Sequence, residues 1–336
     1  MAYGDNRSPK IDISPVTRFR TNSLRYLQPE NKIPSLTSSS LKNIIIVGAA
    51  GKLGTSILAT FDADPNFNVS ILSRKSSKSA FPAHLVVHRV SDEYPEDELL
   101  EALKGQDVVI STISKAAADV QQKAIIDSAI KAGVKRFIPS EFGSDTRNKK
   151  AMKIFPFFKH KLNTVEYLKS KEREGLIWSA FVTGPLFELA VKLTMGFDLK
   201  EQKADIYNEG KDAYSTTRTA SVDTALKNAL LYSEETANKY LSISSFHVSQ
   251  NQILASLEKA TDEKWDVTYI DAEEQKKIGI EKKKKGDFSG AIGLIRYVNS
   301  VKGYGGDYTD YEEMSNELLG VQGEDLDKVV RGIVEG

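Results

Sequence analysis

The stretch Asn43-Ile44-Ile45-Ile46-Val47-Gly48-Ala49-Ala50-Gly51-Lys52-Leu53-Gly54 decides the fold. Its four apolar residues at 44–47 predict a short buried strand, glycines follow at 48, 51 and 54, and the amphipathic run at 55–61 predicts a helix. A strand, a glycine turn and a helix start together bind the pyrophosphate of a dinucleotide. Gly48 allows the tight turn, Gly51 lets the backbone approach phosphate, and Gly54 lets the helix pack close to the strand. The phosphates would rest on free N–H groups at the positive end of the helix dipole. Gly48, Ala50, Gly51, Lys52, Leu53 and Gly54 are therefore expected at a cofactor site. An ordinary tight βα turn carries similar glycines, so the rest of the chain has to decide.

Outward from this stretch, strands are expected at 68–72, 85–89, 107–111 and 136–139, with helices at 97–103 and 116–132 between them. Strands separated by helices imply parallel βαβ units with right-handed crossovers. The predicted class is α/β, a doubly wound parallel Rossmann sheet with its site at the carboxyl ends of the strands. Beyond Ser140 the pattern loosens. A helix is expected at 156–171, strands at 176–182, 240–244 and 265–270, and a helix at 253–260. The charges at 281–285 read as a solvated face, and the tail at 311–334 as helix broken near 320–323. The expected organisation is a disordered extension over 1–42, an NADP-binding Rossmann domain over 43–183, and a smaller substrate-binding lobe over 184–336 interleaved with the sheet.

Among 336 residues, Lys and Arg number 46 and Asp and Glu 46, so no net field favours nucleic acid or an acidic membrane. The absence of cysteine removes disulfides, thiolate catalysis and Cys-based zinc sites, and no metal site is expected. No apolar run is long enough to span a bilayer. The N-terminus lacks a secretory core, and Asp5, Asp12 and Glu30 argue against a transit peptide. A cytoplasmic protein acting on a small molecule is expected.

The end of the second strand selects the cofactor. An acid there would accept from the ribose 2′-OH of NAD, whereas a base meets the 2′-phosphate of NADP. The run Ile71-Leu72-Ser73-Arg74-Lys75 has no acid. Arg74 offers a planar fork of donors suited to phosphate, with Lys75 or Lys78 adding a point charge. NADP is therefore expected, with Asp92 near the adenine and Thr112 along the nicotinamide-side ribose. The run from Phe137 to Gly143 brings Ser140 and Phe142 to the same edge.

The following helix offers Lys159 and Lys161. Ordinary short-chain dehydrogenases place a Tyr four residues before such a Lys, but those positions here are Phe155 and Phe157. Tyr167 and Lys171 have that spacing but fall at the far end of the helix in a packing pattern. Lys161 lies three after Phe158 and four before Val165, on the apolar stripe, whereas Lys159 points elsewhere. Burial beside a nucleotide site would lower the Lys161 pKa and suit it to acid–base work. The competing reading is a lysine lying along an apolar surface with its amine in water.

These residues resemble a known family. Gly48-Ala49-Ala50-Gly51-Lys52-Leu53-Gly54, Arg74 and Arg136-Phe137-Ile138-Pro139-Ser140-Glu141-Phe142-Gly143 are similar to the NmrA-like and isoflavone reductase-like group of atypical short-chain dehydrogenases. Gly143-Ser144-Asp145-Thr146-Arg147-Asn148, Phe158-x-x-Lys161 and Thr183-Gly184-Pro185-Leu186-Phe187 look most like its fungal branch. The resemblance runs from about 43 to the C-terminus. It implies NADPH held by the basic residue at 74 and catalysis by a helix lysine in a Phe-x-x-Lys setting, which falls on Lys161. The longer segment between Lys161 and Gly175 keeps an alignment to Lys159 open. Leu186-Phe187-Glu188-Leu189 departs from the branch's usual sequence, so substrate does not carry over. The implied function is NADPH-dependent reduction of a small aromatic or conjugated metabolite, with Phe142, Phe187 and residues near Tyr304 walling the site. The alternative is an NADP-binding redox sensor that regulates a protein partner without turnover.

Overall fold

The computed structural model describes residues 41–113, 118–287 and 289–336. Of the extension expected over 1–42, all but the last two residues lie outside them. In chain order the elements begin β1 (Asn43–Val47), α1 (Lys52–Asp62), β2 (Asn68–Arg74), β3 (Val86–Val90), α2 (Glu96–Leu103), β4 (Val108–Ser111), α3 (Ala118–Ala132) and β5 (Arg136–Ile138). Next come α4 (Lys149–Ile154), α5 (Phe158–Ser170), β6 (Ile177–Val182) and a single turn, α6 (Phe187–Leu189), that widens into a π-turn at Ala190–Thr194. The remainder holds β7 (Phe197–Asp198), β8 (Lys203–Tyr207), β9 (Ala213–Thr216), α7 (Thr219–Leu231), β10 (Lys239–Ser242) and β11 (Phe246–Ser249). It ends with α8 (Gln250–Thr261), β12 (Asp266–Ile270), α9 (Ala272–Lys284), α10 (Ser289–Ser300) and α11 (Leu326–Glu335).

Seven strands form one sheet in the order β3-β2-β1-β4-β5-β6-β10, and every pairing is parallel. This is the doubly wound order, extended by one strand, with its switch point between β1 and β4. Successive residues of β1 face opposite sides of the sheet. Ile44 and Ile46 join Ile57 and Phe61 of α1 and Val222 and Leu226 of α7 on one side. Ile45 and Val47 join Leu99 of α2, Ile125 of α3 and Val165 of α5 on the other. Strand β1 is therefore buried on both faces, which is why its sequence is continuously apolar rather than alternating. Val47 is level with Leu72 of β2 and Ser111 of β4, so Gly48, Ser73 and Thr112 emerge together at one edge.

The structure changes the reading of the tail. Within 311–334 only α11 is helical. Before it residues 314–316 meet the end of β10 and the chain just after it: Met314 bridges to Ser242, the Ser315 N–H donates to the Ser242 carbonyl at 2.8 Å, and the Asn316 side chain bonds both backbone groups of Ser244. An edge strand presents unpaired backbone groups that draw a neighbour, and this tertiary pairing overrides the weak local helix pattern. The charges at 281–285 fall on the last turn and end of α9. Helices α4, α7 and α10 and the strands β7, β8, β9 and β11 have no counterpart among the expected elements.

Candidate functional site

The glycine turn fills the edge of the sheet at the switch point. Gly48 has φ +85°, and a Cβ there would stand 2.7 Å from Thr112 Oγ1. A Cβ on Gly54 would lie 2.2 Å from the Gly48 carbonyl oxygen, so helix and turn touch backbone to backbone. The Gly51 N–H donates to that carbonyl at 2.9 Å, and the Thr112 hydroxyl lies 3.0 Å from it and from the Val47 carbonyl. Gly51 caps α1 without a side-chain bond. Among the described residues, no side chain accepts from the first-turn N–H groups of α1. A cavity of about 270 Å³ opens there, bounded by Gly48, Ala50, Gly51, Arg74 and Thr112. Lys52 is exposed and Leu53 packs into the core, and neither lines that cavity.

Arg74 borders the cavity and pairs with Asp92, Nη1 to Oδ2 at 3.3 Å. Asp92 also accepts from the Ser76 hydroxyl at 2.5 Å. Lys75 lies outside the cavity lining and bonds Glu98 at 2.6 Å. That bond, with help from the Ser91 N–H and hydroxyl, holds the Glu98 carboxyl down at about 2. Lys78 is exposed. Sequence reasoning missed Arg89. From β3 it donates to the carbonyls of Ser77 at 2.7 Å and Ser79 at 3.0 Å, pinning the loop whose Ser77, Ser79 and Phe81 rim the cavity. No local signal marks it, because its partners come from the preceding loop.

A second cavity, of about 330 Å³, lies beyond the end of β5. Phe142, Phe155, Phe157, Leu189, Leu193 and Ile295 give it an apolar wall, and Lys161 is its cation. The Lys161 amine donates to the Glu141 carbonyl and, at 3.4 Å, to the Phe142 carbonyl. Burial lowers its pKa, and the charge of Glu141 partly offsets this. Glu141 is 1 % exposed; burial pushes its carboxyl up to about 7 against the pull of Lys161 and the Thr146 hydroxyl. Lys159 is exposed and does not line the cavity. Ser140 is buried, and its N–H donates to Gln122 Oε1 at 2.9 Å. Phe142 stacks on Phe181, with ring centroids 5.7 Å apart, and borders this cavity rather than the glycine turn.

One expected wall residue, Phe187, is elsewhere; Tyr304 itself does not line the cavity, although Asn299 near it does. Phe187 is buried in a separate core against Phe246, because α6 turns its ring inward and presents Leu186 and Leu189 instead. Tyr304 packs edge-on against Tyr297. Tyr167 donates to Asp127 at 2.6 Å, tying α5 to α3 away from both cavities. Among the described residues, no helix is long and apolar enough to cross a membrane.

Sheet, switch point and glycine turn define a protein of the dinucleotide-binding Rossmann class. Residues 40–315 match the NmrA-like family, and the chain belongs to it. It is 51% identical over 294 residues to the oxidoreductase aprR of Aspergillus flavus, covering 87% of this chain and 99% of that one. Two solved structures share the fold. AtPrR2 with NADP+ and (+)pinoresinol has a TM-score of 0.70 at 20% identity, covering 87% and 98% of the two chains. The leucoanthocyanidin reductase–NADPH complex of Vitis vinifera has 0.68 at 16%, covering 88% and 100%. The chain is an oxidoreductase of this family.

Proposed function

We propose that this protein is an NADPH-dependent reductase of a small aromatic or conjugated metabolite, with Lys161 as its acid–base group. One observation carries the reading: the amine of Lys161 sits on two backbone carbonyls in a mostly apolar, aromatic-walled cavity past the end of β5, two strands from β1 and at the same edge of the sheet as the glycine turn. Bound NADPH would supply a hydride, which needs an electron-poor carbon beside it. Lys161, directly or through water, supplies or withdraws the proton at the substrate oxygen. Residues 43–183 form the cofactor half, with the glycine turn and Thr112 on the phosphates and riboses and Arg74 on the 2′-phosphate. Residues 184–336 add Leu186, Leu189, Leu193 and Ile295 to the substrate wall. Binding of NADP+ by AtPrR2 and of NADPH by leucoanthocyanidin reductase, on the same fold, supports the cofactor. A cytoplasmic setting, where NADPH is plentiful, fits this activity.

The test is NADPH consumption by the purified protein across enones, quinone methides and aryl ethers. With an accepted substrate, Lys161→Met should lower kcat by ~10²–10⁴ while Lys159→Ala leaves it nearly unchanged. The opposite pattern would reassign the role to Lys159. NADPH binding with no turnover on any compound would replace this reading with the redox sensor.

A further inference from the structure

Glu141 is a buried charged group that the proposed reaction leaves unused. It follows Ser140 at the carboxyl end of the sheet and is 1 % exposed. Oε2 accepts from the Thr146 hydroxyl at 2.7 Å, whereas Oε1 has no hydrogen-bond partner among the described residues. A buried carboxylate oxygen without a donor is costly unless a cation or a proton compensates it. The surrounding charges are specific. Arg147 attracts it from the same loop but is already committed to Asp145 at 2.7 Å and Glu312 at 3.1 Å, and its guanidinium lies over the Tyr240 ring of β10. Asp145 repels it, and the Tyr311 hydroxyl bonds Asp145 rather than Glu141. On α5, His160 has its ring against Phe157. Lys161 exerts the largest pull of the neighbouring charges, and its amine is held on the backbone carbonyl of Glu141 itself.

We propose that Glu141 is a positioning residue for Lys161: its buried, half-satisfied carboxylate anchors the amine on the carbonyls of 141 and 142 and sets how readily Lys161 holds its proton. The two groups share one compensating charge. With Glu141 ionised, the ammonium is favoured and Lys161 is an acid. With Glu141 protonated that pull is gone, burial alone acts on the amine, and Lys161 gives up its proton more readily. When the ammonium gives its proton to a substrate oxygen, the N–H bond breaks and an O–H bond forms. The negative charge then left on Glu141 is cancelled when a proton from water reaches either member of the pair. This inference rests on Lys161 being the acid–base group, but its test does not require turnover.

The full chain is labelled with 13C at the lysine side-chain methylenes, and Lys161 is assigned by the signal lost in Lys161→Arg. Its titration is then followed by two-dimensional carbon–proton NMR. Glu141→Gln keeps the size of the side chain and removes its charge. The anion that favoured the ammonium is gone, so the Lys161 midpoint should fall by about one pH unit or more, tenfold in the ammonium-to-amine ratio. Thr146→Val keeps the carboxylate but removes its one donor, favouring protonated Glu141 and moving the midpoint in the same direction by less. A merely structural role moves neither midpoint, and an unchanged Lys161 titration in both variants overturns the proposal. The two shifts without any NADPH-dependent turnover would uphold this pairing and remove the reductase reading. Turnover with unshifted titrations would do the reverse.

Discussion

At the scale of single residues, the site depends on side chains whose partners are remote in sequence. Arg74 is legible because the cofactor chemistry demands a residue type at a fixed distance past the glycines, and the structure puts it on the rim of the cavity beside the turn. Its ion pair with Asp92 is half-exposed, a geometry from which little stability is gained and from which the guanidinium can readily turn to an incoming phosphate. Arg74→Ala should therefore weaken NADPH binding by roughly 10–100-fold, the value of hydrogen bonds to a charged group, and leave NADH binding little changed. Calorimetric titration with both cofactors checks this, and an equal loss for both would remove Arg74 from the 2′-phosphate. Lys161 was legible from helical phase, since the stripe of Phe158 and Val165 had to face inward. Arg89 and the environment of Glu141 were not. Arg89 acts on three carbonyls ten, twelve and fifteen residues upstream, and Glu141 becomes a buried charge only once Lys161 of α5 and Thr146 come against it.

At the scale of elements, sequence reading succeeds where one local rule dominates and fails where tertiary pairing does. The β1–α1 unit follows from its own residues: a continuous apolar run, then glycines at 48 and 54 where a Cβ would meet Thr112 or the turn's own backbone. Gly54 and Gly332 separate contact from propensity. Both lie in helices, but a Cβ at 54 meets the Gly48 carbonyl oxygen at 2.2 Å, whereas one at 332 meets nothing within 4 Å. Gly54→Ala should destabilise the fold by about 1–3 kcal/mol and impair NADPH binding, because α1 must move off the turn. Gly332→Ala in α11 should be neutral or stabilising by up to about 1 kcal/mol. Urea denaturation of both variants measures the contrast, and equal effects would mean that the turn tolerates a shift of α1. The tail at 311–325 shows the opposite case. Its residues favour helix weakly, yet 314–316 pair with Ser242 at the end of β10 and with Ser244 beyond it, and the turns that follow seat Leu319 and Val321 in the core.

For the whole molecule, the question is whether the cofactor half stands alone. Residues 43–183 contain six strands of the sheet, β1 to β6. The seventh, β10, and the helix α7 that covers one face come from the second half. Helix α7 packs on α1, with Ser56 bonded to Asp223 and Lys227 paired with Asp64, both at 2.5 Å. Without α7, Ile57, Leu58 and Phe61 of α1 lose their cover, and without β10 the neighbouring strand β6 loses its edge partner. At about 1.5–3 kcal/mol for each side chain returned to water, the three α1 residues alone cost an amount comparable to the ~5–15 kcal/mol that holds a domain folded. The second cavity has the same dependence, since Phe142 and Lys161 face Leu189, Leu193 and Ile295 across it. A fragment of residues 41–183 should therefore show no cooperative thermal transition by circular dichroism and no NADPH binding, while the intact chain melts in one step. A cooperative melt of the fragment would mean that the sheet tolerates the loss of α7 and β10, and that the second half serves substrate alone. The expected failure would instead make the cofactor half and the substrate wall a single folding unit, so that the reaction site exists only when both ends of the chain are in place.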